Sequence, residues 1–97
     1  MAEADGDDPI ALEITDSIDL HHFQPSEVVD VVDAYLDAAL EHGFSEVRLI
    51  HGRGKGVQRA RVHAFVSADP RVARFEEAPP GRGGWGATLV WLRAVKT

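Results

Sequence analysis

Ninety-seven residues suffice for one domain with a modest two-layer core and are too few for two such cores. The absence of cysteine excludes a disulfide framework and a thiolate zinc site, and no apolar run approaches the roughly 20 residues of a membrane-spanning helix. The net charge of -6 hides a division: residues 1 to 47 hold 13 of the 16 acids and no base, whereas all ten Lys and Arg lie from Arg48 onward against Asp69, Glu76 and Glu77. A local basic surface is thus compatible with an acidic chain, although a merely dipolar, solvated domain would show the same asymmetry.

Met1 to about Pro9 carries four acids and no hydrophobic segment, so it is expected to be a disordered tail and not a signal peptide, ahead of a single domain over residues 10 to 97. The composition predicts a soluble cytoplasmic protein with no membrane partner, monomeric by default. Ser17 to His22 alternates like a half-buried strand, with Ile18 and Leu20 inward and Asp19 and His21 outward. Gln24-Pro25-Ser26-Glu27 reads as a helix start, because Pro suits the first helical position and an acid suits the first turn. The helix should run to Glu41 or His42, with Val28, Val32, Tyr35, Leu36 and Ala39 on its buried stripe and Gly43 as its stop.

Val47 to Ile50 is a second strand, and it leads directly into His51-Gly52-Arg53-Gly54-Lys55-Gly56. A helix over Val57 to Ser67 follows, with Val62, Phe65 and Val66 packing and Arg59 and His63 wetter. Asp69-Pro70 ends it. Val72 to Ala78 predicts a third strand, Pro79 to Gly86 a flexible turn, and Ala87 to Leu92 a last strand. Strands joined through a helix run parallel with a right-handed crossover, so the first three share a direction and the fourth returns antiparallel. The strand exits then gather His21, the His51 loop and the Gly81 to Gly86 turn at one edge, where open α/β sheets bind their ligands. Two short helices can cover only one face, leaving the face of Asp19, His21 and Arg48 open to a partner.

A glycine loop between strand and helix lets backbone N–H groups approach an anion, most plausibly a phosphate. This one is no Walker A, because Gly56 follows Lys55 where Ser or Thr is required, and Val57 stands where the dinucleotide fingerprint needs its third glycine. No nucleotide cofactor is expected. Arg53, Lys55 and Arg59 favour phosphate contact over a bare turn. Asp19 and His21, two apart on a strand, allow a carboxylate to orient an imidazole, and His51 should arrive at the adjacent strand end. Two imidazoles beside a phosphate could serve as general base and general acid. His22, His42 and His63 are read as incidental. Trp85, between Gly84 and Gly86, is as suited to stacking on a base as to packing, while Trp91 reads as packing.

Taken together, Ile18-Asp19-Leu20-His21-His22, then Ile50-His51-Gly52-Arg53-Gly54-Lys55-Gly56, then Gly83-Gly84-Trp85-Gly86-Ala87-Thr88, resemble the Smr (small MutS-related) domain over about residues 17 to 93. That family carries a Leu-Asp-Leu-His-Gly segment, a His-Gly-x-Gly-x-Gly loop and a late Gly-Gly-x-Gly-x-Thr turn. The resemblance implies a two-layer βαβαββ sandwich like the C-terminal domain of bacterial translation initiation factor three. Its four-stranded mixed sheet has order 1-2-4-3, strand four is antiparallel, and both helices lie on one face. It also implies an endonuclease acting on DNA or structured RNA, with roles in repair or at stalled ribosomes. The alternative is a nucleic-acid- or ribosome-binding module that does not cut.

Residue by residue, the resemblance places Asp19, His21 and His51 in the catalytic set. Gly52, Arg53, Gly54, Lys55, Gly56, Arg59, Gly83, Gly84, Trp85 and Gly86 form the phosphate and nucleic-acid surface. His22 departs from the family's glycine. Magnesium or manganese is the expected cofactor if there is one, but Asp19 with His21 is a thin ligand set for magnesium and no residue is assigned as a metal ligand. A purely protein-binding domain using the acidic first helix remains a third reading.

Overall fold

A computed structural model describes residues 14 to 54 and 56 to 93. The expected tail over 1 to 9, the loop residue Lys55 and residues 94 to 97 lie outside the described residues. In chain order the elements are β1 (Ser17–Asp19), α1 (Val28–Glu41), β2 (Glu46–Ile50), α2 (Val57–Ser67), β3 (Val72–Glu77) and β4 (Ala87–Leu92). They form one four-stranded sheet of order β1-β2-β4-β3, in which β1 and β2 are parallel and β4 runs antiparallel to both its neighbours. The predicted α/β sandwich is thus the observed one. No helix among the described residues is long and apolar enough to cross a membrane.

The apolar stripe of α1 is the one its spacing predicts: Val28, Val32, Tyr35, Leu36 and Ala39 are buried, while Asp30, Asp33, Asp37 and Glu41 face solvent. Val62 and Val66 of α2 join them over Leu20, Val47, Leu49, Val90 and Leu92. Full burial of each such side chain contributes about 1.5–3 kcal/mol. The helix ends in a Schellman motif: Gly43 N–H donates to Leu40 O and Phe44 N–H to Ala39 O, both at 3.0 Å. In β3, Val72 and Phe75 are three apart yet both point to the helices. A bulge at Ala73 reconciles this with a strand's period of two, pairing Val72 with Leu92, Arg74 with Trp91 and Phe75 with Val90.

Three boundaries differ from the sequence reading. The first strand stops at Asp19, not His22, because Leu20 to Phe23 forms a turn closed by Phe23 N–H to Leu20 O at 3.1 Å. Pro25–Glu27 is a separate 3-10 turn whose Glu27 Oε1 accepts the Gln24 N–H at 3.0 Å, and α1 proper begins at Val28. Pro79 to Gly86, read as a flexible turn, folds into two 3-10 turns, Pro80–Arg82 and Gly84–Gly86. The sheet face away from the helices is therefore less open than expected. Arg48 donates to Arg82 O at 3.1 Å, Arg82 pairs with Glu46 at 2.8 Å, and Ala78, Ala87 and Leu89 form a small second core with Ile50 and Trp91.

Candidate functional site

The carboxyl ends of β1 and β2 and the start of β4 meet as the crossover topology requires. At β1, Asp19 turns its carboxylate back on the following turn, accepting the His21 backbone N–H at 3.1 Å and contacting His21 Nδ1. Partial burial pushes the Asp19 carboxyl up, but the hydrogen bonds from the His21 backbone and ring outweigh it and hold the carboxyl below its ordinary value. With Nδ1 engaged by a carboxylate, Nε2 is the nitrogen of His21 left for chemistry. His22 shares the turn, its ring centroid 4.0 Å from that of His21.

At β2, the chain leaves the sheet through Gly52, whose N–H and that of His51 both donate to Gly86 O, at 2.9 and 3.0 Å. This fork ties the glycine loop to the late turn. A Cβ on Gly52 would lie 3.6 Å from His21 Cβ, so the β1 turn packs against the same loop. Gly56 caps α2 at φ +85°, a left-handed conformation that a side chain disfavours, and no side chain caps the first turn of the helix. The result is a cleft of about 480 Å³ lined by His21, His51, Gly52, Arg53, Gly54, Gly56 and the first turn of α2 through Arg59. Uncapped N–H groups and a cationic rim suit a phosphate. A larger groove of about 830 Å³ between α1 and α2 is remote from these loops, and its Arg71 is already bound to Asp33, Asp37 and Asp69.

The late turn supplies the third wall. A Cβ on Gly86 would come within 3.1 Å of Arg53 Cγ, and one on Gly84 within 3.4 Å of the Arg53 guanidinium, so these glycines make the channel in which Arg53 lies. Gly83 admits no side chain either, as its Cβ would fall 2.7 Å from that of Ala87. Trp85 packs one edge on Gly56, receives the Arg59 guanidinium over its ring at 4.9 Å, and keeps 37% of its surface exposed. Of the equal alternatives for Trp85, the packing one is thus met on one edge while the exposed part remains available to a base. Arg59 is also paired with Glu77 at 3.2 Å, so it is less free for phosphate than the sequence implied.

His51 also lines the cleft, at its floor, with both ring nitrogens engaged. It is 3% exposed, its Nδ1 lies 3.0 Å from Gly52 O, and its Nε2 lies 2.9 Å from Thr88 Oγ. A carbonyl only accepts, so Nδ1 carries the proton and Nε2 accepts from the Thr88 hydroxyl. Thr88 Oγ in turn accepts from His63 Nε2 at 2.8 Å. His63, read as incidental, is thereby part of a directed chain from α2 through β4 to the glycine loop. Burial is the main force lowering both imidazoles below their ordinary pKa, opposed at His51 by the Gly52 bond and reinforced at both by Arg59. The sequence signal for His63 was its position four residues after Arg59, on the same side of α2.

The structure thus brings together Asp19, His21, Gly52, Arg53, Gly54, Gly56, Arg59 and the Gly83 to Gly86 turn, with His51 beneath them. Asp19, His21 and His22 are also the group of described side chains whose donor atoms could hold a metal ion.

Fold and site define a two-layer α/β domain with a glycine loop at the carboxyl edge of its sheet. The chain belongs to the Smr domain family, whose model matches residues 18 to 93. Endonuclease MutS2 of Acetivibrio thermocellus is 40% identical over 83 residues, covering 86% of this chain and 10% of that protein. Endonuclease MutS2 of Thermus thermophilus is 41% identical over 76 residues, covering 78% and 10%. The chain therefore spans about a tenth of the length of the curated relatives it matches. The crystal structure of the Smr domain of Thermus thermophilus MutS2 superposes with a TM-score of 0.78 at 39% identity, over 81% of this chain and 99% of that one. YdaL, a stand-alone small MutS-related protein from Escherichia coli, superposes with a TM-score of 0.76 at 28% identity, over 80% and 64%.

Proposed function

We propose that this chain binds DNA or structured RNA at the glycine-loop cleft and hydrolyses a phosphodiester bond there. One observation carries the reading: the Asp19–His21 pair stands against Gly52, at the mouth of a cleft lined by Arg53 and the uncapped first turn of α2. Relatives described as endonucleases support it.

The phosphate would rest on the N–H groups of the loop and the first turn of α2, with Arg53 neutralising charge that builds in the transition state. Asp19 holds the Nδ1 proton of His21 and so presents Nε2 as the base that takes a proton from the attacking water. His51 positions the loop from below and leaves proton transfer to His21. Trp85 offers its exposed ring to a neighbouring base.

The test is a panel of supercoiled DNA, single-stranded DNA and structured RNA, with and without Mg²⁺ or Mn²⁺, scored for both binding and cleavage. Salt-dependent binding with cleavage of at least one substrate is expected. Binding without cleavage under every condition would replace the nuclease by a recognition module, and no binding at low salt would remove both.

A further inference from the structure

We infer that Asp19, His21 and His22 form a binding site for one divalent transition-metal ion of the Zn²⁺ class. Each residue offers one donor atom, and the three atoms lie within 4.8 Å of one another. Consecutive residues of an extended strand point to opposite faces, so His21 and His22 could not share an ion had β1 continued through them. The strand stops at Asp19 instead, and the turn closed by Phe23 N–H to Leu20 O swings both rings to one side, with centroids 4.0 Å apart.

An ion with bonds of about 2.0–2.2 Å holds tetrahedral donors about 3.4 Å apart, so closing the widest separation takes a movement of up to about 1.4 Å. All three residues are exposed, so the shift is made at the surface of the turn. Asp19 and His21 Nδ1 already share a proton, which an ion binding both atoms would displace while parting them.

The donor set also selects the ion. Two imidazoles and one carboxylate suit borderline divalent cations, whereas Mg²⁺ prefers oxygen ligands in an octahedron. Three protein ligands leave at least one position for water or another oxygen. Gly52 lies against His21, so the open position borders the glycine-loop cleft, where a phosphate oxygen could fill it. A metal there would supply Lewis-acid polarisation of that oxygen. Magnesium and manganese, the cofactors expected from the sequence if there is one, fit these donors less well than zinc.

A bound ion would draw Asp19 and His21 out of the hydrogen bond that the proposed proton transfer uses, so the metal-loaded and metal-free states of this turn are alternatives, and the test reads metal directly. The whole chain is titrated with Zn²⁺ and, separately, Mg²⁺ by calorimetry in a non-coordinating buffer, alongside His22→Ala and Asp19→Asn variants whose folding is checked by circular dichroism. One Zn²⁺ per chain is expected, with binding at least about tenfold weaker in each variant and weaker still for Mg²⁺. In the Co²⁺-loaded chain the imidazole proton resonances of His21 and His22 should be strongly shifted and those of His42 and His63 should not. No Zn²⁺ uptake at 1:1 stoichiometry, equal uptake by the folded His22→Ala variant, or paramagnetic shifts confined to other histidines would overturn the site. Nucleic-acid cleavage without Zn²⁺ uptake would remove this inference and leave the proposed function standing.

Discussion

The His51 ring and the Thr88 hydroxyl lie 2.9 Å apart in the interior, and because His51 Nδ1 must donate to Gly52 O, Thr88 is the donor in that bond. The same hydroxyl accepts from His63 at 2.8 Å. One threonine on the central strand thus ties α2 to the base of the glycine loop.

Thr88→Val keeps the side-chain shape and strips both imidazoles of their shared partner. A buried polar group left unpaired costs about 1–3 kcal/mol, so a loss of about 2 kcal/mol is expected in urea unfolding. Thr88→Ser, which keeps the hydroxyl, should recover most of it. Equal stability of the valine variant and the native chain would show that the chain of hydrogen bonds contributes nothing.

Stability should decline as pH falls below about 6.5, the ordinary histidine value. His51 and His63 are held below that value in the fold, mainly by burial. In the window between folded and unfolded pKa the unfolded chain binds protons that the folded chain does not, so the contribution is complete above about 6.5 and is lost on acidification. Asp19 and Asp69, both depressed carboxyls, act in a lower window, losing their contribution only as pH falls past the ordinary carboxylate value. Unfolding free energies at several pH values from about 8 down to about 2 check the order. A Thr88→Val chain should show an altered profile in the upper window and the native one in the lower.

Gly56→Ala should destabilise the fold by about 1–2 kcal/mol, since it sets a Cβ at φ +85° and 3.0 Å from Trp85 Cη2. Gly81→Ala has open space and no left-handed backbone, so a change within about 0.5 kcal/mol is expected. Thermal or urea unfolding of the pair separates a built loop from a merely permissive one. The glycine-loop variant should also weaken nucleic-acid binding by moving Trp85.

Arg53 and Arg59 should differ in their salt signatures. Arg53 borders the cleft, whereas Arg59 is paired with Glu77. Anisotropy titrations over about 50–200 mM salt should show the slope of log K against log salt falling by about 1 for Arg53→Ala and by less for Arg59→Ala. Glu77→Gln should tighten binding by freeing Arg59. Weaker binding by Glu77→Gln would mean that the ion pair positions Arg59 on the ligand.

The periodicity of α1 stated its buried face directly, and the crossover rule brought three loops to one edge. The glycine spacing around Arg53 marked the cleft. What escaped was decided by tertiary packing. The turn at Leu20 to Phe23 ends β1 early, although Asp19-Leu20-His21 alternates like a strand, because local pattern carries no information on where pairing with β2 stops. His51 reads as an available imidazole until the Thr88 hydroxyl of β4, 37 residues away, is found to cover its Nε2. Glu77, from the far edge of the sheet, claims Arg59 in the same way.

The central claim is that a phosphodiester bond is cut beside His21, held by Asp19, and that His51 supports the loop from below. The most direct test is single-turnover cleavage, with saturating native and His21→Ala protein, of whichever substrate the native chain cuts, with binding measured in parallel. A loss of about 10²-fold or more in rate with affinity within a few fold of native is expected for a removed general base. An unchanged rate in the folded His21→Ala variant would contradict the account.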